Sequence, residues 1–233
     1  MAREAKKEEN TAVEGMEKDG GMIRVNHAVK RYGRATVLKD VTFSVEKGSI
    51  CGIIGRNGSG KTVLFRSICG LSDLTEGEVY VNGQRVGKDV DVPPNLGCII
   101  ETPGFLGQFS GYRNLKLLAD IRGIVGKQEI RDTIRLVGLD PDSRKSVGKY
   151  SLGMRQRLGI AQAIMEGQEI LVFDEPMNGL DNRGVEDMRK LFLELKEQGK
   201  TILMASHNRD DIEVLCDVVY EMDDGALTEY SRR

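Results

Sequence analysis

The chain has no apolar run near the roughly 20 residues that a membrane-spanning helix requires. Its opening residues also lack the apolar core of a secretory signal. Any membrane role would therefore have to come through a partner. Cysteine is scarce, and the four present, Cys51, Cys69, Cys98 and Cys216, stand far apart with no C-x-x-C pair and no nearby histidine. That spacing argues against a disulfide framework and for reduced thiols in packed or partly buried positions, in a cytosolic compartment. Neither sign of charge dominates: 34 basic and 36 acidic residues leave a net charge of -2. The chain therefore carries no electrostatic footprint for nucleic acid. What is present describes a soluble globular protein, with 39% hydrophobic and 30% charged residues over 233 positions. This length fits one large domain, or one domain with an inserted subdomain. Glycine is plentiful at 28 residues, which suits many turns and close approaches of backbone to a ligand.

One stretch organises the rest. Residues 49–54 form an apolar run that reads as a buried strand, and it ends in Gly55-Arg56-Asn57-Gly58-Ser59-Gly60-Lys61-Thr62. Helical apolar spacing follows from Val63 to Gly70. A strand, then G-x-x-x-x-G-K-T, then a helix is the context a phosphate-binding P-loop requires. The glycines let successive amides curl around phosphate oxygens, and the helix points its positive end at the same anion. Lys61 is expected to reach the β- and γ-phosphates of a nucleoside triphosphate, and the Thr62 hydroxyl to sit on Mg²⁺. The bare pattern can also arise by chance as a glycine-rich turn; its flanking strand and helix favour nucleotide binding.

A second constellation lies further on. Ile170, Leu171, Val172 and Phe173 deliver Asp174 and Glu175 to the carboxyl end of a buried strand, the edge where open α/β sheets bind ligands. Phosphoryl transfer needs one carboxylate to hold Mg²⁺ and another group to polarise the attacking water; Asp174 and Glu175 fit these roles. Leaving a strand on opposite sides, the two could hold different jobs. Alone, the pair could equally be a solvated acidic turn.

Along the chain, residues 1–21 read as a polar, flexible tail, and 22–233 as one domain. Strands are expected over 22–29, 37–45, 77–81, 84–86, 96–101, 170–173, 200–205 and, last, 218–222. Between Glu101 and Glu169 the pattern turns helical, with helices over 115–121, 130–137 and 156–165; helices at 185–198 and 210–216 follow. The expected fold class is α/β: a P-loop NTPase core with an antiparallel β subdomain and a helical subdomain inserted at about 102–167.

Three further signals stand in register behind the P-loop. Tyr150-Ser151-Leu152-Gly153-Met154-Arg155-Gln156 resembles the signature loop of ABC-type ATPases, Asn178-Gly179-Leu180-Asp181 resembles their D-loop, and Ala205-Ser206-His207 resembles their switch histidine. Singly, Ser151 could be an N-cap, Gly179 a turn and His207 a surface residue. Together they are similar to the ABC family from about residue 22 to the C-terminus. The resemblance implies an ATPase that binds ATP and Mg²⁺ and closes as a head-to-tail sandwich of two copies. Ser151 and Gly153 would then contact the γ-phosphate held by the other copy. His207 would contact the γ-phosphate and orient water or Glu175, and Asp181 would link the two sites. Tyr32 occupies the place of an aromatic ring against adenine, although a purely structural role remains open for it.

Two departures from that family stand out. The signature reads S-L-G-M, with Leu152 in place of a glycine and Met154 in place of glutamine, while Ser151 and Gly153 are kept. Glu101 occupies the place of the Q-loop glutamine, so a third acid is expected near Mg²⁺. The run I-I-E-T-P-G-F around it resembles the exporters of bacitracin resistance and lantibiotic self-protection. The implied protein is the cytoplasmic ATP-binding subunit of an exporter, peripheral at the inner membrane face through a separate permease. That permease would dock on the helical block near Phe105, Leu106 and Phe109, although these may instead pack the subdomain. The rival readings are a soluble ABC-type ATPase without a membrane partner, and a nucleotide-binding regulatory subunit with little turnover.

Overall fold

The structure, a computed structural model, describes residues 21–230. Residues 1–20, most of the expected tail, lie outside them, and Gly21 already opens the first strand. β1 (Gly21–Tyr32) and β2 (Ala35–Glu46) form a long antiparallel pair extended by the hairpin β4 (Glu76–Val81) and β5 (Gln84–Arg85), in the order β2-β1-β4-β5. The second sheet runs β10-β9-β3-β8-β7-β6. Its members are β3 (Ile50–Ile54), β6 (Leu96–Ile99), β7 (Ile170–Asp174), β8 (Thr201–Ala205), β9 (Val218–Asp223) and β10 (Ala226–Glu229). All its pairings are parallel except that of the edge strand β10. β9 was expected to be the last strand. The turn at Asp224-Gly225 adds β10, whose polar sequence hid it from an apolar pattern.

Helix α1 (Lys61–Ile68) leaves β3 through the glycine-rich loop. Between β6 and β7 come α2 (Gly111–Arg122), α3 (Lys127–Leu136), a short 3₁₀ turn (Val147–Lys149) and α4 (Leu152–Ile164). α5 (Asn182–Glu197) and α6 (Arg209–Leu215) connect the later strands. α2 and α4 each begin four residues before the point at which helical apolar spacing becomes visible. Their first turns are polar and are fixed by caps: Ser110 accepts from the amide of Arg113, and Ser151 from that of Met154.

The central strands are buried on both faces, and their period of two sorts side chains into two cores. Ile50, Leu171, Phe173, Ile202 and Met204 face α5 and the helical block, and Phe173 stacks on Phe192 of α5 with ring centroids 5.0 Å apart. Cys51, Ile53, Ile170, Val172, Leu203 and Ala205 face α1 and the antiparallel sheet. The sheet thus carries its loops between two packed layers, which holds the carboxyl ends of β3, β7 and β8 rigidly side by side.

All four thiols are free; Cys51, Cys69 and Cys216 are buried and Cys98 is half-buried. Cys98 shares a hydrogen bond with Cys69, which holds the Cys98 thiol below its ordinary pKa and pushes that of Cys69 well above. Burial pushes the Cys51 thiol up as well. Native alkylation by iodoacetamide should therefore modify Cys98 first, with the thiolate as nucleophile. Mass mapping checks this, and equal labelling of a second cysteine would overturn the assignment.

Candidate active site

Strand β3 ends at Ile54, and the chain turns through Gly55, Gly58 and Gly60 at φ of 155°, 82° and 116°. These angles favour glycine. At Gly55 there is also no room for more: a Cβ would lie 2.3 Å from the carbonyl oxygen of Met222 in β9. Gly60 precedes α1 without any side-chain cap, so the first amides of the helix stay open to an anion. Lys61 is 6% exposed, and its Nζ donates to the carbonyl oxygens of Gly55 (2.6 Å) and Arg56 (3.1 Å). A buried ammonium is thereby held across the mouth of the loop. Ser59 Oγ is buried and has no hydrogen-bond partner.

The loop faces the end of β7. Thr62 Oγ1 donates to Asp174 Oδ2 at 2.6 Å, joining the start of α1 to a carboxylate that is 7% exposed. β7 stops at Asp174, so Glu175 does not leave the strand on its opposite side as the alternation implied. Glu175 instead adopts a left-handed backbone at φ 53°, a conformation costing about 1–3 kcal/mol outside glycine and frequent at functional sites. Its amide donates to Ala205 O of β8 at 3.1 Å, and its carbonyl accepts from Gln156 Nε2 at 3.4 Å. Its Oε2 takes the amide of His207 at 3.3 Å and meets His207 Nδ1 at 2.8 Å. Its Oε1 is buried without a partner. One oxygen of Glu175 is thus anchored by His207, and the other has no protein partner.

A cavity of about 670 Å³ joins these parts, lined by Asn57, Gly58, Gly60, Lys61, Thr62, Val63, Glu101, Asp174 and Glu175 from the expected set. Leu152, Arg155 and Gln156 of α4 reach its far wall. Gly55 and Arg56 lie on the other side of the loop, with His207 in a neighbouring cavity. Open amides, a buried ammonium and the unpartnered Ser59 hydroxyl fit a triphosphate. The hard oxygens of Thr62 and Asp174, already in contact, suit Mg²⁺. Glu101 sits apart from this pair. Its residue has φ 61°, and its carboxylate is turned toward Arg66 of α1, Oε1 to Nη1 3.8 Å. Among the described residues, no group of three or more His, Cys, Asp or Glu side chains could hold a metal ion.

Other expected residues stand away from the cavity. Ser151 caps α4, its Oγ accepting from Met154 at 3.2 Å, and Gly153 packs on the segment after Glu175. Asp181 caps α5, its Oδ1 accepting from the amide of Gly184 at 2.8 Å. Tyr32 ends β1 at the surface, 52% exposed, with Lys30 Nζ 5.0 Å from its ring centroid. Sequence reasoning missed Arg66 and gave Gln156 no role beyond its place at the end of the signature stretch. Gln156 was passed over because a glutamine within a helix carries no signal until its partner is known.

The family model described as ABC transporter matches residues 38–178. An uncharacterized ABC transporter ATP-binding protein of Bacillus subtilis is 43% identical over 88% of this chain and 94% of its own length. A bacitracin transport ATP-binding protein of Enterococcus faecalis is 41% identical over 89% of this chain and 68% of its own length. A lantibiotic transport ATP-binding protein of Streptococcus pyogenes is 33% identical over 85% of each chain. Among solved structures, a dimeric ATP-binding cassette in a post-hydrolysis state with ADP and Pi superposes with a TM-score of 0.81 over 91% of this chain and 99% of its own. At 22% identity that likeness speaks for the fold alone. An ATP-binding subunit of an ABC transporter matches with a TM-score of 0.80 and 26% identity over 90% of both chains. Among the described residues, no helix is long and apolar enough to cross a membrane. The chain belongs to the ABC transporter family, as one of its ATP-binding, ATP-hydrolysing cassettes.

Proposed function

We propose that this ATPase powers the export of antimicrobial peptides through a separate membrane permease, from the cytoplasmic face of the membrane. The likeness to bacitracin and lantibiotic transport subunits supports the substrate class. The observation that carries the catalytic reading is the Glu175–His207 pair beside the Thr62–Asp174 pair at one cavity. In this reading the amides of residues 55–63 and the Lys61 ammonium bind the phosphates of ATP, and Tyr32 offers its exposed ring to adenine. Thr62 and Asp174 would hold Mg²⁺, with Glu101 lining the same cavity. Mg²⁺ there supplies charge neutralisation for the developing phosphate negative charge.

Hydrolysis then needs a positioned water. Its oxygen attacks the γ-phosphorus, its proton passes to Glu175 Oε1, and the bond to the β–γ bridging oxygen breaks to leave ADP and phosphate. His207 keeps Glu175 Oε2 occupied, which leaves Oε1 as the oxygen that faces the water. The site closes when a second copy of the chain brings its signature turn, Ser151 and Gly153, onto the γ-phosphate. Asp181 lies next to that seam. The region of about 102–167 acts as a helical subdomain that docks the permease through its first loop, where Leu106 is 49% exposed and Phe109 is covered by Arg113, 4.3 Å from its ring centroid.

The test is phosphate release by the purified chain with and without Mg²⁺, compared with Thr62→Val and followed by reconstitution with its permease. Wild type should require Mg²⁺. Thr62→Val should lose about 10-fold or more in turnover, because the hydroxyl between helix and carboxylate is gone. Metal-independent turnover would overturn the assignment of Thr62 and Asp174.

A further inference from the structure

The first two turns of α4 and the segment 175–181 are fastened together at two places. At one, Gln156, 5% exposed, donates from Nε2 to the carbonyl oxygen of Glu175 at 3.4 Å. At the other, the Leu152 side chain lies over Gly179: a Cβ on Gly179 would stand 2.5 Å from Leu152 Cδ2, and its backbone is left-handed at φ 75°. Gly153 brings the two backbones together from the opposite direction, since a Cβ there would lie 2.7 Å from Gly179 O. The fastened stretch runs from Glu175 to Gly179 and leads two residues later into the cap of α5, Asp181.

We infer that α4 and segment 175–181 move as one clamp, in which Gln156 and Leu152 are positioning residues for this chain's own Glu175. The inference rests on the sandwich proposed above, and it gives that sandwich a coupling between sites. Ser151 sits at the N-terminus of α4 and serves the ATP held by the other copy, whereas Glu175 serves the ATP held by its own copy. Gln156 lies five residues from Ser151 on the same helix, so a shift of the signature turn carries the Gln156 amide with it. The Glu175 peptide is held between that amide and Ala205 O of β8. Because its backbone is left-handed, its conformation depends on these neighbours rather than on local preference. Leu152 is 57% exposed, so its apolar contact with Gly179 serves the clamp rather than the core.

Mixed dimers separate this coupling from a simple defect in the signature contact. One copy carries Leu152→Gly and the other Glu175→Gln. The site disabled by Glu175→Gln is the one that Leu152→Gly faces across the seam. The remaining site uses a wild-type signature turn and the Glu175 that shares a chain with Leu152→Gly. The clamp predicts that single-turnover phosphate release at this remaining site falls about 10- to 100-fold against a wild-type/Glu175→Gln control, from misaimed Glu175. Gln156→Leu in place of Leu152→Gly should act the same way, with ATP affinity of the monomer within about twofold of wild type. Release at the control rate with the folded Leu152→Gly copy would overturn the clamp. Failure of Glu175→Gln to dimerise with ATP would instead overturn the sandwich. Leu152 is at the surface, so its variant answers the question even if Gln156→Leu does not fold.

Discussion

Glu175→Gln should bind ATP as tightly as the wild type while its steady-state turnover falls by about 10²- to 10⁴-fold, the usual contribution of a general base. The amide keeps the shape of the carboxylate and can still accept from the His207 amide, so the geometry around Ala205 and Gln156 is retained. What disappears is an oxygen able to hold the proton of the attacking water. With hydrolysis blocked, ATP should also convert the variant from monomer to dimer, which mass in solution checks directly. Turnover within about 10-fold of wild type would remove Glu175 from the role of base. A variant that stays monomeric with ATP would overturn the sandwich of two copies closed through Ser151 and Gly153.

Gly97→Ala should cost about 3 kcal/mol of stability, and so lower the melting temperature by roughly 6–12 °C for a chain of this size. Gly97 sits in β6 with no unusual backbone angle, yet a Cβ there would lie 1.9 Å from the carbonyl oxygen of Ala163 near the end of α4. Backbone meets backbone at this point, so no side chain can move aside, and either β6 or α4 must shift. The same shift would displace the signature turn at the other end of α4, so turnover should fall beyond what unfolding explains. Gly104→Ala is the control, because nothing lies within 4 Å of its Cβ position. Calorimetry of both variants decides it: equal melting temperatures would show that α4 has slack where the packing has none.

The P-loop was legible because its chemistry is local: a glycine pattern, a lysine and a threonine within eight consecutive positions, between an apolar strand and a helix. Asp174 and Glu175 were legible for a similar reason, since four apolar residues in a row mark a buried strand and place its end. Alternation then misassigned Glu175, because a turn to φ 53° is held by Ala205 and His207 from a different strand, which no local pattern reports. The helix starts at Gly111 and Leu152 were read late, because polar first turns follow their caps rather than apolar spacing. Strand β10 was missed because an exposed edge strand needs no apolar alternation.

Glu101 lines the same cavity as Asp174 and Glu175, as a third acid there was expected to do. What the sequence did not show is that Arg66, one helix turn along α1 from Thr62, stands 3.8 Å from that carboxylate. The sequence by itself determined the type of chemistry: a phosphate-binding loop, two carboxylates at a strand end and the order of the motifs that place the chain in its family. Only the tertiary structure decided that His207 anchors Oε2 of Glu175 while Oε1 is left without a partner, and that Gln156 and Leu152 tie α4 to the segment after β7. The physical reason is that motifs are set by what one stretch of chain must do to a ligand. The aim of a side chain is set by partners from other strands and helices, and those meet only once the sheet has brought β3, β7 and β8 together.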